Sequence, residues 1–310
     1  MLPFKQLMTG RYAFESQVTC AGPANLIGKS LLTDVQATPG DPNCLSFQIC
    51  SCDSTDCNCN RRDLTSVPQN LPTNITTLNL PDNDITTLSQ SDFSRYRSLE
   101  ILRLSSNQIS MINNGTFNHL TNLTILVLIL NELTTLPSDI FEGLNNLQYL
   151  YLSQNQINSL PVNVFEGLVN LDTLFLNTNQ LSSLPVGIFE DLKNLTTLRL
   201  NNNRLTSLPA DIFPVLSSIA NVHINNNPWQ CDCKMLRIKQ MMTGSFEFEG
   251  QITCAGPARL SGKNLLREVR VNRDKPNCLS SSSGSRSLFQ TKHAVLTVPL
   301  VWLLLVQMIN

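Results

Sequence analysis

The pattern Leu-x-x-Leu-x-Leu-x-x-Asn recurs seven times at intervals of 24 residues. It opens at Ile75, Leu99, Leu123, Leu147, Leu171, Leu195 and Ile219, and its asparagines are Asn83, Asn107, Asn131, Asn155, Asn179, Asn203 and Asn227. A phenylalanine keeps the same beat at Phe93, Phe117, Phe141, Phe165, Phe189 and Phe213. A fixed period of this length means one structural unit repeated in space, each unit burying its apolar side only against its neighbours. In the unit Leu147–Ile157, Leu150 and Leu152 stand two residues apart and so share the inward side of a strand. Tyr149, Tyr151 and Ser153 then point to the other side. The asparagine falls where the chain turns off the strand, and its amide can satisfy backbone groups of adjacent turns. Pro137, Pro161, Pro185 and Pro209 predict that the return legs are short turns or 3₁₀ pieces rather than full helices.

These repeats resemble those of leucine-rich-repeat proteins. The expected fold is an α/β leucine-rich-repeat solenoid: a curved parallel β-sheet with disulfide-bonded N- and C-terminal caps. The bulkier return legs place the sheet on the concave side, and the phenylalanines stack into a spine beneath the outer surface. Five regions follow: residues 1–45, a partial duplicate of a C-terminal cap; 46–74, a cysteine-rich N-terminal cap; 75–226, the repeats; 227–279, a cysteine-rich C-terminal cap; and 280–310, a short linker with a tail signal.

The ten cysteines cluster at the ends and are absent from the repeats, which suits an oxidising compartment. Cys50, Cys52, Cys57 and Cys59 also admit a four-thiolate zinc reading, but C-x-C pairs suit a metal less well than C-x₂-C. The segments Cys50-x-Cys52-x₆-Cys59 and Asn227-Pro-Trp-Gln-Cys231-Asp-Cys233, with Cys254 and Cys278, resemble the capping modules of extracellular leucine-rich-repeat proteins. That resemblance implies bridges Cys231–Cys254 and Cys233–Cys278, and disulfides at Cys50, Cys52 and Cys59. Cys57 is extra, at a position where such caps have an apolar residue. Sequons at Asn74, Asn114, Asn122 and Asn194 are compatible with secretion and mark candidate glycosylation sites.

Residues 280–285 are small and polar, residues 286–293 form a spacer, and Ala294–Val306 is almost wholly apolar. A spanning helix needs about 20 apolar residues. This shorter run, with no basic residue after it, matches a glycosylphosphatidylinositol (GPI) attachment signal, with Ser283 as the anchor residue. The expected location is therefore the extracellular face of the plasma membrane. At the other end no apolar export signal is visible. Residues 1–45 instead repeat residues 235–279, Cys20 and Cys44 matching Cys254 and Cys278. Truncation or a misplaced start explains this better than a retained cap fragment. Cys20 and Cys44 either pair together, or Cys44 serves the N-terminal cap.

The outward strand positions carry the functional reading. They are polar at both ends of the array, and the centre is apolar. Ile101, Ile125, Val127, Ile129, Leu130, Tyr149, Tyr151 and Phe175 form one field, with Arg103 and Arg199 beside it and His223 further along. Exposed apolar patches mark interaction sites, and tyrosine and arginine are frequent hot-spot residues. A homodimer across the same patch is the competing reading. Net charge of −1 gives no push toward nucleic acid. The three histidines, His119, His223 and His293, share no catalytic or ligand spacing, so neither an enzyme, a cofactor nor a metal site is expected.

With caps, repeats and tail in hand, the chain resembles the variable lymphocyte receptors of jawless vertebrates over residues 44–310. The carrying motifs are the two cysteine clusters, Leu64-x-x-Val67-Pro68, and the repeats ending Leu-Pro-x-x-Ile/Val-Phe-Glu-Gly/Asp-Leu. The resemblance implies an immune receptor that holds protein or glycan antigen on the concave sheet, with the Phe246–Gly250 stretch as a second contact. Slit-like or Nogo-receptor-like adhesion receptors and Toll-like sensors share the caps and repeats, and supply the alternative function.

Overall fold

The computed structural model describes residues 50–209, 211–241 and 248–269. The N-terminal duplicate with Cys20 and Cys44, and the tail with Cys278 and Ser283, lie outside the described residues.

The chain builds one nine-stranded sheet. It opens on an antiparallel hairpin, β1 (Ser51–Asp53) with β2 (Asp56–Asn58). β2 then pairs parallel with β3 (Thr77–Asn79), the first repeat strand. After β3 come β5 (Ile101–Arg103), β7 (Ile125–Val127), β8 (Tyr149–Tyr151), β9 (Thr173–Phe175), β10 (Thr197–Arg199) and β11 (Asn221–His223), all parallel. Two-residue strands β4 (Thr87–Leu88) and β6 (Met111–Ile112) pair on the return side. Pairing is in strict register: Leu78, Leu102, Leu126, Leu150, Leu174, Leu198 and Val222 face one another along the inside, all buried.

The asparagines form a buried ladder. Asn131 Nδ2 donates to the Leu104 and Leu128 carbonyls at 2.9 and 3.2 Å, and its Oδ1 accepts the Ile109 N–H at 3.0 Å. Asn107, Asn155, Asn179, Asn203 and Asn227 repeat the arrangement. One amide thus serves three buried backbone groups on two adjacent repeats, and each strand carbonyl is shared between the amides of successive repeats. The residue before each asparagine takes a left-handed backbone, from Asp82 (φ 56°) to Asn226 (φ 54°). The phenylalanines are buried under the return side, with Phe93–Phe117, Phe141–Phe165 and Phe165–Phe189 ring centroids 5.7–6.1 Å apart.

Beyond β4 and β6, the return legs are turns except for two helices. A four-residue helix, α1, covers Gln90–Phe93. In the last leg α2 runs over Ile212–Ser218 despite Pro214. Pro214 sits in the first turn, where its missing N–H has no intrahelical acceptor to lose. Gly143 and Gly167, which break the earlier legs at φ 82° and 77°, have Val215 in their place here. The expectation from proline content is therefore corrected for this leg.

Both caps close the core. In the first, Cys50–Cys59 and Cys52–Cys57 are disulfides across the hairpin, so none of these sulfurs is a free thiolate for zinc. Cys57 is an inward residue in register with Leu78, and its bridged sulfur fills the place of an apolar side chain. Asn83 binds this cap to the array, accepting the Leu64 N–H and donating to the Cys59 carbonyl, both at 3.0 Å. Tyr96, fully buried, donates its hydroxyl to the Pro68 carbonyl, and burial pushes its phenol above the usual tyrosine range.

In the second cap Cys231–Cys254 is a disulfide. Cys233 is also disulfide-bonded; Cys278, its expected partner, lies outside the described residues. α3 (Cys233–Met241) and the paired strands β12 (Trp229–Gln230) and β13 (Cys254–Gly256) complete it. Trp229, Met235, Ile252 and Leu265 are fully buried. Gln251 covers the open edge of β11: its Oε1 accepts the Ile224 N–H and its Nε2 donates to the Val222 carbonyl, both at 2.8 Å. A single side chain thus stands in for the next strand and blunts an edge that would otherwise invite pairing.

Candidate binding face

In the repeat strands β5, β7, β8 and β10 only the middle side chain is fully buried, so the first and third look outward in register with their neighbours. Two columns result. Ile101, Ile125 and Tyr149 follow one another in the first. Arg103, Val127, Tyr151, Phe175, Arg199 and His223 follow in the second. Ile129 and Leu130 lie just beyond β7. The nominated residues are half-buried, except Leu130 and His223, which are exposed.

The aromatic centre is locked from within. Tyr151 meets Phe175 edge-on with centroids 4.9 Å apart, and Tyr149 stacks near Tyr151 at 6.5 Å. The Arg199 guanidinium lies 4.2 Å over the Phe175 ring, a cation–π contact that fixes a long side chain. Burial among these neighbours raises the Tyr151 phenol above its ordinary value; Tyr149 and Asp172 add to the shift and Arg199 opposes it. Asp172 is held beside them, accepting hydroxyl hydrogen bonds from Thr173 (2.8 Å) and Thr196 (2.9 Å). At the other end Arg103 donates to Asn79 Oδ1 at 2.9 Å.

Leu130 is the odd residue of its column. It takes a left-handed backbone (φ 58°) where the other repeats have Asp82, Ser106, Gln154, Thr178, Asn202 and Asn226, and it is 48% exposed. That conformation costs a leucine about 1–2 kcal/mol. Such strain is found at functional sites.

Three expectations need correction. Ser153 and Thr173, which strand alternation places on the outward side, are only 4% and 8% exposed. Each is a small side chain between larger neighbours, and Ser153 Oγ donates to Asn177 Oδ1 at 2.9 Å. In the Phe246–Gly250 stretch, Phe248 is 2% exposed and packs into the cap, whereas Glu249 is half-buried and Gly250 exposed; residues 246 and 247 lie outside the described residues. The Phe175–Arg199 stack and the anchoring of Asp172 were missed. Their only sequence signal is an aromatic and a cation one full period apart in the same column. Asn74, Asn114, Asn122 and Asn194 are all exposed.

A rigid array of parallel strands presenting ordered side-chain columns is a binding scaffold of the kind that mediates protein–protein contact. The leucine rich repeat model matches residues 73–133, 121–181 and 170–228, together just over half of the chain, and the leucine rich repeat C-terminal domain model matches residues 17–45 and 251–279. The chain belongs to the leucine-rich-repeat family. No curated protein matches it. Among the described residues no helix is long and apolar enough to cross a membrane. The disulfides in both caps fit an extracellular protein.

Proposed function

We propose that this protein is a cell-surface recognition receptor of immune type that holds a protein antigen against the outward face of its sheet. The observation supporting this is the contiguous apolar and aromatic field from Ile101 to Phe175, which the interior leucines leave no core to enter. A protein surface suits the field better than a glycan. Arg199 lies over Phe175 and Tyr151 meets the same ring edge-on, so part of the aromatic surface on which a sugar would stack is occupied. The tail signal supports a lipid anchor at Ser283, and the exposed sequons support glycosylation at Asn74, Asn114, Asn122 and Asn194.

Two measurements test this reading. Sequencing the gene product from many individuals is expected to show variation concentrated at outward strand positions such as Val127 and Tyr151. Uniform sequence there would point to a fixed-specificity adhesion receptor instead. A phosphatidylinositol-specific phospholipase is expected to release the protein from cells, and retention after treatment would refute the anchor.

A further inference from the structure

The outward strand positions carry only basic charge; Asp172, just before β9, lies beside them with its carboxylate engaged by the Thr173 and Thr196 hydroxyls. From β3 to β11 the outward strand positions hold Arg103, Arg199 and His223 and no carboxylate, although the chain carries 23 acidic residues and a net charge of −1. Neither arginine is ion-paired among the described residues. Arg103 has only the neutral Asn79 amide oxygen. Arg199 is pinned over Phe175 with its Nε–H buried, and its terminal amino groups make no hydrogen bond among the described residues. A guanidinium held in place beside apolar surface, with donors unspent, is arranged to receive a carboxylate when water is displaced.

The two arginines share one column, separated by Val127, Tyr151 and Phe175. Four strand spacings put them about 19 Å apart. Along an extended peptide that distance takes about six residues. We infer that the protein partner presents an apolar centre bounded on both sides by carboxylates, spaced to reach Arg103 and Arg199 together. This rests on the binding-face reading above and adds the chemistry of the partner. Electrostatic matching of this kind fixes register and excludes partners with basic flanks.

The probe is a phage-displayed library of random peptides about twice the length needed to span the two arginines, selected on the purified full chain. Recovered peptides are expected to carry Asp or Glu on both sides of an apolar core. Arg103→Gln and Arg199→Gln should each weaken such a peptide about tenfold, the loss expected for one charged hydrogen-bonded contact. Binding should also fall with added salt. Peptides that need Val127 and Tyr151 yet show no acidic flanks, or that ignore both arginine substitutions, would overturn the inference and leave the site standing. Peptides indifferent to Tyr151→Ala/Val127→Asp, or a library yielding no sheet-face binder, would overturn the site itself. Self-association of the wild-type chain in sedimentation that both arginine substitutions abolish would assign the face to a second copy and refute a foreign partner.

Discussion

The double variant Tyr151→Ala/Val127→Asp is expected to lose at least about a thousandfold in affinity for a peptide selected on the wild-type sheet, measured by surface plasmon resonance. Tyr151 stands at the middle of the second column, with Phe175 and Tyr149 packed around it. Truncating a central aromatic anchor costs about 2 kcal/mol or more. An aspartate in place of Val127 adds a charge that would have to be desolvated in the complex. Both side chains are outward, and the core leucines beneath them are untouched. The loss of stability should therefore stay at about 1–2 kcal/mol, set by the Tyr151–Phe175 contact rather than by the core. Loss of binding together with loss of folding would show these residues to be structural.

Asn131→Ala is expected to do the opposite. It should destabilise the array by about 3–5 kcal/mol in urea denaturation, comparable to emptying a core leucine position. The amide of Asn131 serves the Ile109 N–H and the Leu104 and Leu128 carbonyls. Removing it leaves the buried Ile109 N–H without a partner, at about 1–3 kcal/mol, and takes one of two amide donors from each of the Leu104 and Leu128 carbonyls, which keep Asn107 and Asn155, at about 0.5–1.5 kcal/mol each. The effect should spread, because each repeat is stable only through its interfaces with the next. The neighbouring Leu130 offers a contrast: it is exposed and left-handed, so replacing it touches no ladder bond. A loss below about 1 kcal/mol for Asn131→Ala would mean that water enters at the turn and the ladder is dispensable.

The period made most of the fold legible. Once Leu150 and Leu152 are placed inward, strand direction, register and the outward columns follow from the 24-residue repeat, and β5, β7 and β8 lie in that register. Departures arise where the repeat is broken or where a partner lies off the period. Val215 stands in α2 where two earlier legs have Gly143 and Gly167. Cys57 pairs with Cys52, five residues away, a choice that spacing cannot make among several cysteines. Gln251 covers β11 from a distant segment that shares no pattern with the strands. In the candidate site, the sequence marks Phe175 and Arg199 as neighbours one period apart. It does not show that the guanidinium lies flat over the ring rather than reaching into solvent.

The most direct test places a photo-crosslinking benzoylphenylalanine at Val127, on the outward sheet face, and in a separate protein at Val162, exposed on a return leg. With a selected peptide bound, irradiation should join peptide and chain through position 127 and leave position 162 unreacted. Crosslinking through position 162 alone would put the contact surface on the other side of the array and contradict the account.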